Sequence, residues 1–410
     1  MIDNQKFLYK CIDCGKEYTP SPQLYLCPTC SKANTPTQPP HGVLKVIFDF
    51  ESLKRNHQGI SENNYLKLLP IQSYESMPPL RVGKTPLYKF HKLDNQELPF
   101  NLLVKDDSQN PTFSFKDRAS AIVSAYAKEN GINTIVAAST GNAGSSIAGI
   151  CASQAQKAIV MVPKSAPVAK LTQIVMYGAT IVPVNGTYDN AFDLSIEATQ
   201  KFGWYNRNTA FNPLTIEGKK TVAFEIFDQL KGNLPNRIFV PVGDGVIISG
   251  VYKGFEDLLT IGLIDKIPTI VAVQAEGSSN IVGNLLSEQF ESKPSNTIAD
   301  SISVDIPRNF FMAKDFIKKY HGEGITVTDD EILKASSKLS RNTGIFAEPA
   351  AIASFAGLLK YWKNGKLPAN SNNMILLTGS GLKDLKSVSS LVNIPKPIEP
   401  NLEDLDELIK

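Results

Sequence analysis

Short runs of uninterrupted apolar residues alternate along most of the chain with longer segments whose apolar positions recur every three or four residues. Residues 101–105 (NLLVK), 134–138 (TIVAA), 158–162 (AIVMV), 180–184 (TIVPV), 238–242 (IFVPV), 270–274 (IVAVQ), 325–327 (ITV) and 374–378 (MILLT) read as strands buried on both faces. Segments 115–128, 143–155, 167–177, 188–202, 216–231, 329–342 and 349–362 carry helical spacing, as does the stretch from the glycine-rich turn after 242 to about 260. Gly131 and Gly178 stand just past two of these helices, where a left-handed residue ends the last turn. Apolar strands alternating with helices predict an α/β chain of open parallel sheets with helices on both faces, a three-layer arrangement. Ligands in such sheets bind beyond the carboxyl ends of the strands. The residues that follow each strand are therefore the first candidates for chemistry.

Residues 1–40 break this pattern. They hold four of the five cysteines and end in the Pro/Thr-rich run 35–40, which reads as a linker or extended arm. Residues 48–55 predict a short helix, and 70–86 a proline-punctuated loop. The tail 399–407 is acidic, with leucines at 402, 405 and 408, and suits either a packing or dimer-contact helix or a frayed end. No internal repeat is present. A length of 410 residues allows two to three domains. The 42 basic and 40 acidic residues nearly cancel, which argues against a nucleic-acid or membrane-surface partner. Without a long apolar segment or a secretory leader, the expectation is a soluble, cytoplasmic, reducing environment.

Cys11 and Cys14, then Cys27 and Cys30, form two CxxC pairs. Four thiolates at that spacing suit a closed, structural Zn²⁺ site, with Gly15 supplying the positive φ that such a knuckle often needs. A redox dithiol, an iron site and four unconnected thiols are the alternatives. Cys151, on a small-residue helix, reads as a buried core thiol. Histidines 41, 57, 91 and 321 form no ligand spacing.

Three strand ends are rich in small and hydroxyl residues: Ser139-Thr140-Gly141-Asn142, Gly243-Asp244-Gly245-Val246-Ile247 and Thr378-Gly379-Ser380-Gly381. Each opens a helix and can turn backbone N–H groups toward an anion. None forms a dinucleotide fingerprint or a phosphate loop with GK[ST]. Lys116 stands at a helix start, where the dipole disfavours an ammonium and eases the deprotonation that Schiff-base formation requires. A solvated surface lysine is the plain alternative.

Asn110-Pro-Thr-Phe-Ser-Phe-Lys-Asp-Arg118, Ser139-Thr-Gly-Asn142 and Thr378-Gly-Ser-Gly-Leu-Lys-Asp384, with Gly83-Lys-Thr-Pro-Leu87 and Asn212-Pro213 through Glu217-Gly-Lys-Lys-Thr221, resemble the threonine synthases in their order. These are pyridoxal-phosphate enzymes of the tryptophan-synthase-β, or fold type II, group. The resemblance covers roughly residues 80–390. It implies a larger cofactor-binding unit from 41–130 and 231–395, a smaller unit at 131–230, a zinc-ribbon-like segment at 1–40 and a tail at 396–410, assembled as a homodimer. By the same resemblance Lys116 carries the cofactor and moves protons, and Asn142 bonds its phenolic oxygen. Gly243 to Ile247 cradle its phosphate, with Asp244 offering backbone only. Thr378 faces the pyridine nitrogen, where a neutral hydroxyl suits elimination and replacement. Ser139, Thr140 and Asn142 receive an amino-acid substrate, and Glu348 belongs to a segment bordering the site.

The sequence departs from that family at Phe113 (usually Gly), at Ala143 (often Thr), in the 243–247 turn and, most pointedly, at Thr215. The family carries there an arginine that grips the phosphate of O-phosphohomoserine. Lys84, Lys105, Lys219 or Lys220 could stand in, though without the bidentate geometry of arginine. The reaction implied is conversion of O-phospho-L-homoserine and water to L-threonine and phosphate. A cysteate-synthase-like β-replacement, a serine/threonine deaminase or a non-catalytic amino-acid binder are the alternatives.

Overall fold

The computed structural model describes residues 5–55, 64–166 and 168–409; His57 lies outside them. The N-terminal segment forms a small antiparallel sheet of strands β1 (Phe7–Cys11), β2 (Glu17–Tyr18) and β3 (Leu44–Phe48), in the order β2-β1-β3. It does not stop at residue 40, because β3 pairs with β1 along its full length, from Leu44 against Cys11 to Phe48 against Phe7. The short helix α1 (Phe50–Arg55) follows.

The larger sheet begins with β4 (Leu87–Leu93) and β5 (Gln96–Asp106). The chain then leaves it through α2 (Lys116–Glu129) to build a second sheet: β6 (Thr134–Ala138), α3 (Asn142–Ser153), β7 (Lys157–Pro163), α4 (Val168–Met176), β8 (Thr180–Val184), α5 (Tyr188–Phe202) and β9 (Tyr205–Asn206). These four strands are parallel, in the order β8-β7-β6-β9. Helix α6 (Leu214–Gln229) returns the chain to the larger sheet. That sheet is completed by β10 (Arg237–Pro241), α7 (Val246–Thr260), β11 (Thr269–Ala275), α8 (Phe310–Lys319), β12 (Glu323–Val327), α9 (Asp329–Thr343), α10 (Pro349–Lys363) and β13 (Asn372–Leu377). Its order is β12-β11-β10-β13-β5-β4, parallel except for β4 at the edge. The tail carries α11 (Leu402–Ile409), which buries no residue.

The central strands β6, β10, β11 and β13 are buried almost throughout because helices cover both faces. The edge strand β4 is mostly exposed and lacks that apolar signature. Helix α6 crosses α2 at Gly218, where a Cβ would run into the carbonyl oxygen of Arg118. Loops at the carboxyl ends of the two sheets meet each other. Within the larger sheet the Phe115 N–H donates to the carbonyl of Thr378 at 2.9 Å, and between the two sheets the Lys383 ammonium bonds Ser145 at 2.8 Å and Gln173 at 2.7 Å.

Candidate active site

The position of Lys116 is set by its neighbours in sequence. Asp117 accepts from the backbone N–H of Thr112 at 2.7 Å and from its hydroxyl at 2.5 Å. Asn110 accepts from the Gly83 N–H at 2.8 Å and donates to the Asp107 carbonyl at 2.9 Å. Arg118 donates through Nε to Asp107 at 2.5 Å and through both terminal nitrogens to Glu225, at 2.7 and 2.9 Å. Most of the motif around Lys116 is therefore bracing. Phe113 lies at φ 68°, a left-handed conformation that glycine adopts without steric cost, and its side chain is about half exposed, at 49%.

Lys116 is partly buried at the first turn of α2. Burial pushes its ammonium below the usual lysine range, and the nearby Arg207 guanidinium pushes it further; Glu348 and Asp244 pull the other way. A lysine in that setting gives up its proton readily. Asn142 opens α3 and donates its amide to both carboxylate oxygens of Glu348, at 2.9 and 3.0 Å, and to Ser301 at 3.3 Å. Burial holds Glu348 above the usual carboxylate range, against the hydrogen bonds from Asn142 and the charge of Lys116. Gly379 makes room for it, since a Cβ there would sit 2.5 Å from a Glu348 oxygen. Thr378, buried, follows β13 at the backbone of Phe115.

The Gly243–Ile247 turn closes β10 and opens α7, with Gly245 at φ 86°. The first N–H groups of α7 have no intrahelical acceptor and are available to an anion. Asp244 does not obstruct this. Its carboxylate accepts from the Arg308 N–H at 3.2 Å and its carbonyl from the Asn309 N–H at 3.0 Å. Nearby, the Lys219 ammonium is fully buried and has no hydrogen-bond partner among the described residues. Burial drives it well below its ordinary range, Lys116 and Arg207 add to this, and Asp244 opposes. An unpartnered buried cation beside a helix start fits a phosphate group.

Ser139 is buried and accepts from the Gly141 N–H at 3.2 Å, and Thr140 is partly buried beside it. Lys84 is not brought to these residues by any contact among the described residues. It is exposed, its backbone N–H donates to Glu225 at 2.8 Å, and its ammonium forms no ion pair among the described residues. Lys105 is bound to Thr85, Glu225 and Gln229, and Lys220 to Glu217 and Asp257. Arg207, which the sequence reading passed over, is fully buried beside Lys116 and Lys219. No signal in Asn206-Arg207-Asn208 marks it, because its surroundings come from α2 and β6. A cavity of about 270 Å³ lies near Ser380, bounded also by Tyr88, Phe90, Asp106, Thr343 and Phe346; no candidate cofactor or substrate residue lines it.

The sulfurs of Cys11, Cys14, Cys27 and Cys30 lie within 4.8 Å of one another. Those of Cys14 and Cys27 are 3.8 Å apart, close to the roughly 3.8 Å edge of a tetrahedron with Zn–S bonds of about 2.3 Å. Gly15 has φ 72°, and its N–H donates to the Cys11 carbonyl at 3.0 Å, closing the first knuckle. Burial pushes Cys27 up, but the backbone N–H of Cys30 and the Tyr18 hydroxyl at 3.0 Å bring it down to about 6. The donor set fits a tetrahedral metal ion. Cys151 is buried apart from this group.

An amine at one helix start, a glycine turn with an orphaned ammonium at another and a hydroxyl at a central strand end, on two α/β sheets parallel but for β4, suit a pyridoxal-phosphate-dependent enzyme of fold type II. The family described as "Pyridoxal-phosphate dependent enzyme" matches residues 79–379. Among solved structures, tomato (Solanum lycopersicum) threonine deaminase isoform 2 superposes with a TM-score of 0.65 at 24% identity, over 75% of this chain and 83% of that one. O-ureido-L-serine synthase gives 0.64 at 20% identity, over 80% and 97%. The threonine synthase of Methanocaldococcus jannaschii is 34% identical over 98% of this chain and 99% of its own length. That of Methanosarcina acetivorans is 34% identical over 98% of each, and that of Halalkalibacterium halodurans 36% identical over 83% and 94%. The chain belongs to the threonine synthase family.

Proposed function

We propose that this protein converts O-phospho-L-homoserine and water to L-threonine and phosphate. The observation that carries the reading is the match to threonine synthases from end to end, at 34% identity over 98% of the chain. Pyridoxal phosphate, when bound, supplies an electron sink that acidifies the substrate's C–H bonds. Lys116, the Gly243–Ile247 backbone, Lys219, Asn142 and Thr378 are the residues that would hold it. Ser139, Thr140 and the start of α3 would receive the substrate carboxylate through hydroxyl and N–H groups.

Lys116 Nζ acts as the base at Cα and then at Cβ, a role supported by its depressed proton affinity. Loss of these protons allows the Cγ–O bond to break and phosphate to leave. A proton returned at Cγ makes the methyl group, water adds its hydroxyl at Cβ, and a proton returned at Cα completes threonine. Glu348, held up by burial, is placed to keep Asn142 oriented. The test is a steady-state assay with O-phosphohomoserine, O-phosphoserine and threonine as separate substrates. Threonine and phosphate from the first is the expected outcome; turnover of only the second or third would replace this reading with β-replacement or deamination, which the loss of arginine at Thr215 favours.

The four-cysteine segment is proposed to hold one structural Zn²⁺, supported by the sulfur spacing. Among the described residues no helix is long and apolar enough to cross a membrane. A cytoplasmic homodimer is the assembly we propose, and light scattering after size-exclusion chromatography tests its stoichiometry.

A further inference from the structure

We propose that Arg207 grips the distal phosphate of the substrate, replacing the arginine that the family carries where this chain has Thr215; this rests on the reaction proposed above. Thr215 itself has no free group to offer, since its hydroxyl donates to the Asn212 carbonyl at 2.8 Å within its own turn. Of the lysines that could compensate, Lys105 and Lys220 are committed to carboxylates and Lys84 faces solvent. That leaves Lys219, and Arg207 beside it.

Arg207 is fully buried yet forms no ion pair with any carboxylate among the described residues. Its Nε donates to the Ser120 hydroxyl at 3.1 Å, one terminal nitrogen to the Thr209 hydroxyl at 2.9 Å and the other to the Lys116 carbonyl at 3.4 Å. Those are neutral acceptors, and they occupy three of the five N–H groups of a guanidinium. Burial lowers Arg207 to about 10, with only partial relief from the charges of Asp117 and Tyr188. A buried charge left without a counter-ion is costly unless a ligand supplies one.

Arg207, Lys116 and Lys219 interact electrostatically as one group of like charges. Lys219 packs on α7, where a Cβ at Gly250 would lie 2.6 Å from its own Cβ, so it stands by the helix whose start is the cradle proposed for the cofactor phosphate. Arg207 belongs instead to the smaller sheet. Its N–H donates to the Val136 carbonyl at 2.8 Å, and the Ala138 N–H donates to Asn208 at 2.7 Å, so it sits at the strand ends that also carry Ser139. Carboxylate and phosphate of one substrate would then be held from adjacent strands. The N-terminal segment secures this placement: the Tyr25 hydroxyl accepts the N–H of Asn206 at 2.9 Å, and its ring stacks on Phe211 at 4.6 Å.

The test compares wild-type holoenzyme with Arg207→Gln and Arg207→Lys. Measured quantities are kcat and KM for O-phosphohomoserine, the inhibition constant of inorganic phosphate, cofactor content, and the change in the cofactor's visible spectrum on adding L-homoserine, which lacks the phosphate. Loss of a charge-assisted contact predicts that Arg207→Gln raises KM and the phosphate inhibition constant about 10- to 100-fold. Arg207→Lys should show a smaller rise, while cofactor content and the L-homoserine titration stay within about twofold. Unchanged KM and phosphate inhibition would overturn the proposal, as would loss of cofactor in place of substrate affinity. If Arg207→Gln does not fold, Arg207→Lys, which keeps the charge and the bulk, decides by the same readouts. If wild-type enzyme makes no threonine from O-phosphohomoserine, the reaction is wrong, and Arg207 is then judged on inorganic phosphate alone: a phosphate-dependent spectral change in wild type that Arg207→Gln abolishes supports it, and one that persists refutes it.

Discussion

Three basic side chains lie together beneath the site, and they are distinguished by what each lacks. Lys116 is held at a helix start, depressed by burial and by Arg207, and therefore suited to act as a base. Lys116→Ala should abolish turnover and the visible absorbance of bound cofactor without lowering the melting temperature of the apo chain; activity retained at more than about 1% of wild type would exclude it as the base. Lys219 is buried without a partner among the described residues. Lys219→Met should weaken cofactor affinity at least about tenfold while leaving the apo chain as stable or more so, because an uncompensated ammonium is removed. Equilibrium dialysis with pyridoxal phosphate, together with thermal melts of the apo protein, checks both halves. Lys116 was legible in the sequence because its bracing is local: Asn110, Thr112, Asp117 and Arg118 lie within a few residues of it. Arg207 was not, because its neighbours Ser120, Lys116 and Val136 come from elsewhere in the chain. Phe113 was noted only as a departure, and the backbone explains the family's glycine there.

At the scale of elements, α2 and α6 are joined by a buried network in which Glu225 receives Arg118, Lys105 and the backbone N–H groups of Lys84 and Thr85. Burial alone would raise Glu225, but Arg118 and Lys105 bring it down to about 2. A depressed carboxylate stabilises the fold above its unfolded value, near 4.5, and that contribution is lost as pH falls from there toward about 2. Glu225→Gln should cost about 3 kcal/mol at neutral pH, with the gap to wild type closing across that acidic window in denaturant melts. A gap independent of pH would show that packing, not charge, dominates. The buried parallel strands were readable because both faces are covered, so apolar runs such as 134–138 mark them directly. Strand β4 was not, since an antiparallel edge strand with exposed residues has no such run. Strands β1 to β3 were also missed, being short and tied to the cysteine knuckles.

Across the whole molecule, the N-terminal segment touches both α/β units. Tyr25 packs on Phe211 and bonds Asn206 on one side. On the other, His41 stacks on Phe311 of α8 at 4.4 Å, and Lys45 pairs with Glu256 of α7. The two units also meet through Arg308, which reaches Asp189 of α5 at 2.5 Å. The cysteine pattern announced a cluster of four sulfurs but not this bridging position, which depends on how distant strands come together. Elemental analysis should find one zinc per chain, and its removal by a chelator should lower the melting temperature and raise KM for the phosphorylated substrate; a metal-free protein with the same melt and kinetics would refute a structural ion. The central claim concerns the reaction itself, and oxygen labelling tests it most directly. With O-phospho-L-homoserine in H₂¹⁸O, cleavage of the Cγ–O bond and water addition at Cβ predict threonine carrying one ¹⁸O and phosphate carrying none. Label in the phosphate with homoserine as co-product, or no threonine at all, would contradict it.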